Sequence, residues 1–111
     1  RMLKAAGTVT DGTIRDPVEI AETGYPVFYS GRVCPVGSKY RLETVAFDEP
    51  IVCAGVLVRP GDVIVGDGSG VVVIPPDRVD EVIKIAGEIL KWEEETARRI
   101  SDGGPLRKPA T

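Results

Sequence analysis

Short apolar runs broken by glycine and proline fill most of this chain, and one helical stripe follows them. Thr8 to Thr10 favour β structure, and Asp11-Gly12 signals a turn. Asp16 to Thr23 predicts a short helix, with Val18, Ile20 and Ala21 as a small apolar face and Gly24 as its stop. Tyr25 to Ser30 predicts a strand, with Pro26 at its start, where a proline costs no ladder bond. Gly31 to Lys39 reads as a loop. Tyr40 to Phe47 alternates enough for a half-buried strand, although Leu42 and Val45 break strict period two. Asp48-Glu49-Pro50 is a turn. Ile51 to Val58 is apolar and β-branched, and Ala54-Gly55 interrupts it, so a bulge or two short strands are expected. Arg59-Pro60-Gly61-Asp62 has the residue order of a type II turn. Val63 to Val65 and Gly70 to Ile74 predict strands on either side of the Asp67-Gly68-Ser69-Gly70 turn. The unbroken run Val71-Val72-Val73-Ile74 implies a strand covered on both faces.

One long helix is predicted from Pro76 or Asp77 to Ser101. Val79, Val82, Ile83, Ala86, Ile89 and Leu90 recur at helical spacing and predict a buried stripe. The large ones would contribute roughly 1.5–3 kcal/mol each on burial. Gly87 costs about 1 kcal/mol relative to alanine inside that helix. Its second half is polar, with Glu94 to Arg98 and Glu95 to Arg99 at the favourable i,i+4 spacing. Gly103-Gly104-Pro105 stops it, and 105–111 reads as a flexible tail. At the other end, Arg1 to Ala6 reads as the end of a helix feeding a strand, which gives the expectation of an N-terminal portion outside this chain.

Composition narrows the chemistry. The 111 residues suffice for one domain with a modest core. A formal net charge of −3 argues against a nucleic-acid footprint. No apolar run approaches a membrane span and no signal peptide is visible, so a cytoplasmic location is expected. The sequence has no histidine, which removes His-based triads and zinc-histidine sites. Catalysis would fall to carboxylates, Arg, Lys, Tyr, backbone amides or a bound metal. Cys34 and Cys53 make no disulfide framework and lack metal-site spacing, so both are expected as buried or half-buried thiols.

The densest chemistry follows the first turn. Arg15 is a guanidinium, and Asp16 and Glu19 are carboxylates three positions apart, able to share one face of a helical turn. With Pro17 in the first turn, Asp16 is placed as N-cap. A cation and two carboxylates at a strand end can hold an anionic substrate and a hard metal such as Mg²⁺. The same residues also read plainly as a turn, a capping box and a solvated surface charge. The glycines from Gly66 to Gly70 form no phosphate loop, because no Lys-Ser/Thr follows them. Glu93, Glu94 and Glu95 read mostly as a solvated helix face.

The run Val9-Thr10-Asp11-Gly12-x-x-Arg15-Asp16 resembles the signature of the RraA-like family. That family includes regulators of ribonuclease E activity and divalent-metal aldolases that cleave 4-hydroxy-4-methyl-2-oxoglutarate. Further matches follow in order at Pro26-Val27-Phe28, Pro50-Ile51-Val52, Val58 to Asp62, Val65-Gly66-Asp67 and Gly70 to Pro75. The resemblance implies an α/β fold, the swivelling β/β/α domain with a long C-terminal helix, in which residues 1–104 form the C-terminal portion of a single domain. It implies a homo-oligomer, a trimer or a pair of trimers. It also implies a lyase acting on small 2-oxo acids, as aldolase or oxaloacetate decarboxylase, through a pyruvate enolate.

In that scheme Arg15 binds substrate and stabilises the enolate, and Asp16 and Glu19 serve a divalent metal, Mg²⁺ or Mn²⁺. Glu19 fits the acidic position of Arg-Asp-x-x-Glu/Asp that marks aldolase-like members. One of Glu93 to Glu95 would reach a neighbouring subunit's site, as a C-terminal glutamate does in the aldolases. Asp11, Gly12, Arg59 to Asp62 and Asp67 match the family too, with turn geometry as their simpler role. An Asp ahead of the Arg and nearby amides normally complete the site, and they would fall outside this chain. The competing expectation is a non-catalytic regulator that binds an RNA-processing enzyme or another protein. A third is attachment to a sugar-phosphate enzyme.

Overall fold

The computed structural model describes residues 4–34 and 42–105. The chain divides into two units, Arg1–Ile74 and Pro75–Thr111. The first is built from three two-stranded sheets and one short helix, the second from one long helix. The class is mixed α/β.

In the first unit, β1 (Thr8–Val9) and β2 (Val27–Phe28) pair in parallel. A parallel pair needs a crossover, and α1 (Pro17–Glu22) provides it. The pairing continues past both strands as an isolated parallel bridge, Ile14 with Val33, in the same register. Backbone bonds Thr10 N to Phe28 O (2.9 Å), Ser30 N to Gly12 O (3.2 Å) and Cys34 N to Ile14 O (2.8 Å) join the two segments. The strand predicted from Tyr25 to Ser30 is thus only two residues long, because the ladder beyond it is interrupted.

Strands β3 (Ile51–Cys53) and β4 (Val56–Val58) form a hairpin. Its two-residue turn has Ala54 at φ 48° and Gly55 at φ 81°, the left-handed pair that suits strand twist. The interruption therefore makes two short strands. The turn at Arg59 to Asp62 is type II: Gly61 lies at φ 92°, and Asp62 N donates to Arg59 O at 3.0 Å. Strands β5 (Val63–Asp67) and β6 (Gly70–Ile74) close around Gly68-Ser69, with Asp67 Oδ1 accepting from Ser69 N at 2.7 Å. Gly66 of β5 lies under the Phe28 ring, where an added Cβ would come within 2.6 Å of it.

In the second unit, a 3₁₀ turn (Pro76–Arg78) leads into α2 (Val79–Ser101). The helix ends as a Schellman motif: Gly103, at φ 77°, donates to Ile100 O, and Gly104 N donates to Arg99 O at 2.8 Å. Arg99 then clasps the end, donating to Pro105 O at 3.0 Å and to Thr96 Oγ1 at 3.2 Å. The rest of the tail, 106–111, lies outside the described residues.

Several expectations give way here. No strand spans Tyr40 to Phe47: residues 35–41 lie outside the described residues, and 42–46 have no regular structure. Residues 4–6 are not helical. The β6 run is not covered on both faces, since Val72 is 57% exposed. The α2 stripe is not buried either, with Ile83 at 65% and Leu90 at 56% exposure. Among the described residues no hydrophobic side chain is buried, and Thr96 is the one buried residue. The local patterns form their elements, but these residues alone do not gather over a core. The roughly 1.5–3 kcal/mol available per buried Val, Leu or Ile is left largely uncollected.

Candidate functional site

The parallel segment from Thr8 to Ile14 aims its carboxyl end at Arg15 and Asp16. Carboxyl ends of parallel strands are where α/β folds usually place ligand-binding groups. Gly12 anchors the approach: its N–H donates to Thr10 Oγ1 at 3.0 Å, and its carbonyl accepts from Ser30 Oγ at 2.8 Å. Ile14 N then donates to Arg32 O at 3.3 Å. Immediately beyond this bridge the chain is free of the ladder and presents the two charged residues.

Asp16 is the flanking residue of α1 and Pro17 is the first helical residue, as the sequence implies. Asp16 nevertheless makes no capping bond. Its backbone lies in the left-handed region, at φ 58° and ψ 48°, and its carboxylate turns to Arg15. Arg15 Nε donates to Asp16 Oδ2 at 2.9 Å. No capping box with Glu19 forms, because the left-handed backbone takes the Asp16 side chain away from the helix amides. Both partners of the Arg15–Asp16 pair are more than half exposed, so water screens it and its contribution to stability is at most about 1 kcal/mol. Asp16 thus gives up a capping bond for an exposed contact that contributes little to stability. Left-handed non-glycine backbone of this sort clusters at functional sites.

Asp16 and Glu19 line an open cleft of about 970 Å³, together with Thr8, Ile14, Ile20 and Tyr25. Arg15 is tied to this cleft through Asp16 and is not part of its lining. Tyr25 braces the wall, its hydroxyl lying 2.9 Å from Thr8 Oγ1. Thr23 closes α1 by donating its hydroxyl to Ile20 O at 2.6 Å and accepting from Tyr25 N at 3.2 Å. The terminal amines of Arg15 make no hydrogen bond among the described residues, and neither does the Glu19 carboxylate. The arrangement thus offers a guanidinium with open donors beside two carboxylates.

Two carboxylates suit a hard cation that keeps several waters, as Mg²⁺ does. Among the described residues no three acidic, cysteine or histidine side chains gather as a metal-binding group. Asp16 and Glu19 are the two carboxylates at this cleft, and they do not form a closed protein cage. Cys34 and Cys53 are both half-buried, and Cys34 reaches this edge through its backbone, its N–H donating to Ile14 O at 2.8 Å. Glu93, Glu94 and Glu95 are exposed on α2.

One contact had no sequence signal. Asp11, read as part of a turn, sends its carboxylate to the β3–β4 hairpin, where Oδ2 accepts from Ala54 N at 2.8 Å. The partners are 43 residues apart, and nothing in a turn dipeptide specifies such a partner.

The comparisons with known proteins converge. The family model described as RraA-like, Aldolase/RraA, matches residues 1–73. A Methanocaldococcus jannaschii protein, MJ0644, is 40% identical over 91% of this chain and 48% of its own length. A putative 4-hydroxy-4-methyl-2-oxoglutarate aldolase of Halalkalibacterium halodurans is 37% identical over 92% of this chain and 48% of its own length. The chain thus spans about half the length of these two relatives. Among solved structures, a Pseudomonas syringae protein of uncharacterized function superposes with a TM-score of 0.77 at 34% identity, over 86% of this chain and 50% of that one. Streptomyces coelicolor RraAS2, described as an unusual member of the RNase ES inhibitor RraA family, superposes at 0.62 with 26% identity, over 87% of this chain and 58% of that one. With the model covering well over half of its residues, the chain belongs to the RraA-like family.

Proposed function

We propose that the chain carries one edge of the active site of a divalent-metal-dependent lyase that acts on small 2-oxo acids through a pyruvate enolate. The observation that carries this reading is the Arg15–Asp16 pair, with Nε to Oδ2 at 2.9 Å, at a cleft lined by Asp16 and Glu19. The Halalkalibacterium relative's name supports the same chemistry.

Cleaving the C3–C4 bond of a 4-hydroxy-2-oxo acid, as the 4-hydroxyl loses its proton and becomes a carbonyl, leaves the electron pair on C3, conjugated with the 2-oxo group as the pyruvate enolate. Loss of carbon dioxide from oxaloacetate leaves the same enolate, so one site serves both reactions. The open donors of Arg15 would bind the substrate's carboxylate and the developing enolate oxygen, a contact stronger in the transition state than in the substrate. Arginine suits this work because its planar fork matches a carboxylate in two places. Asp16 and Glu19 would hold a divalent cation, Mg²⁺ or Mn²⁺, which supplies Lewis-acid polarisation of the 2-oxo group. Asp16 also orients Arg15 by accepting its Nε–H, leaving the terminal amines for substrate. No Schiff-base lysine is required.

The reading extends to architecture. We infer a swivelling β/β/α domain to which residues 1–104 contribute the C-terminal portion, assembled as a trimer or a pair of trimers in the cytoplasm. Exposed apolar side chains such as Val52, Ile64 and Ile83 support assembly with further protein surface. Sedimentation showing a strict monomer at micromolar concentration would count against it.

The competing reading is a non-catalytic regulator that binds an RNA-processing enzyme, favoured by the structural likeness to Streptomyces coelicolor RraAS2. One assay separates the two. The full-length protein is incubated with oxaloacetate and Mg²⁺, and the metal is then chelated. Pyruvate release that stops on chelation supports the lyase, whereas silence across several 2-oxo acids supports the regulator.

A further inference from the structure

We propose that Asp11 is a positioning residue, which holds the loop presenting Arg15 and Asp16 by gripping the turn of the β3–β4 hairpin. The proposal rests on the lyase reading of that loop.

The hairpin turn supplies an N–H donor that the ladder leaves unpaired. In a two-residue turn Cys53 and Val56 face each other, and the N–H of the first turn residue points away from the ladder. Here that residue is Ala54, held at φ 48°, a conformation that a residue with a Cβ adopts reluctantly. Asp11 Oδ2 accepts this N–H at 2.8 Å. An ionised acceptor makes a stronger bond than a neutral one. The contact therefore fastens two things at once, the strained hairpin tip and the loop ahead of Arg15.

The other ties of the loop differ in direction. Gly12 is fastened to Thr10 and Ser30, and Ile14 to Arg32 and Cys34. Each of those partners lies within the parallel pair itself. Such bonds hold the pair to itself and do not join it to the neighbouring hairpin. The Asp11 bond reaches the hairpin and joins the two. Asp11 is not among the residues lining the cleft of Asp16 and Glu19, and its carboxylate is engaged by Ala54, so it acts through geometry and not by touching substrate. A misplacement of about 1 Å can cost on the order of 100-fold in rate. Asp11 is also exposed, so the effect of its loss on stability should be small beside the effect on turnover.

The test uses Asp11→Ala, Asp11→Asn and a control, Asp67→Ala, in the full-length protein. Asp67 makes the same kind of carboxylate–amide bond, to Ser69 N at 2.7 Å, on the other hairpin. Metal-dependent pyruvate release from oxaloacetate is measured together with amide hydrogen exchange at Gly12 to Asp16 and at Ala54. Asp11→Ala should lower kcat roughly 10- to 100-fold with little change in KM, and should speed exchange at these amides. Asp11→Asn keeps an acceptor oxygen and should restore most of both. Asp67→Ala should leave kcat unchanged. Retained kcat in Asp11→Ala overturns the proposal, as does a failure of Asn to rescue or an equal loss in the control. If the unaltered protein releases no pyruvate, the lyase reading fails by itself. Exchange then decides the tie: rates unchanged by Asp11→Ala overturn it, and faster rates restored by Asn uphold it.

Discussion

Both helices close their C-terminal ends and both start without a side-chain cap, but only α1 has a residue able to cap at that position, Asp16 against Arg78 in α2. Helix α2 closes its own backbone: Gly103 and Gly104 complete the Schellman motif, Arg99 clasps the following carbonyl, and acidic residues sit in its first turn. Helix α1 is closed at its end by Thr23 and left without a side-chain cap at its start, although Asp16 is in place to provide one. The same residue type that would cap the helix is turned instead to Arg15. Where a side chain gives up a stabilising role worth typically about 1 kcal/mol, its new partner is the place to look for function.

Substitutions on each side of this comparison should separate activity from stability. The largest effect is expected at Arg15. Under the lyase reading, Arg15→Ala should cost about 2–4 kcal/mol of transition-state stabilisation, lowering kcat more than it raises KM. Its thermal midpoint should barely move, because the exposed pair contributes little to folding. Lysine should rescue poorly, since a point charge lacks the planar fork. Full metal-dependent turnover in Arg15→Ala would remove the best reason for placing catalysis here.

The other helix end should respond the other way. Gly103→Ala forces a Cβ into the left-handed conformation at φ 77° and should destabilise the end of α2 by roughly 1–2 kcal/mol, read by thermal melting, with kcat intact. An unshifted melt would mean that the motif does not hold in solution.

Asp16→Asn sharpens the comparison from the first side. Asparagine tolerates the left-handed backbone and no capping bond is lost, so stability should change by less than about 0.5 kcal/mol. Metal affinity should fall, and excess Mg²⁺ should partly restore turnover. A large stability loss with unchanged metal dependence would return Asp16 to a structural role.

The smallest effect is expected at Arg78. Its guanidinium pKa is raised by its hydrogen bond to Glu81 at 2.6 Å, but both partners are more than half exposed at the start of α2. Arg78→Ala should leave melting and turnover unchanged within error, showing that an ordered ion pair near a helix start need not matter. A measurable loss of either would contradict that.

Much of the local structure was legible in the amino-acid order. Gly70 to Ile74, the break at Ala54-Gly55, the type II turn at Arg59 to Asp62 and the span of α2 follow from β-branched runs, turn residues and helical spacing. These signals act over a few residues, so local chain energetics suffices to specify them. The Arg15–Asp16–Glu19 grouping was legible for the same reason, since all three lie within a single turn. Tertiary structure decided the rest. Burial depends on what covers a face, so the apolar runs of β6 and α2 could not announce that they stay exposed here. The turn of Asp16 from cap to Arg15 depends on one backbone angle in the left-handed region. The Asp11 bond to Ala54 depends on two turns meeting across 43 residues, a proximity that no local preference encodes.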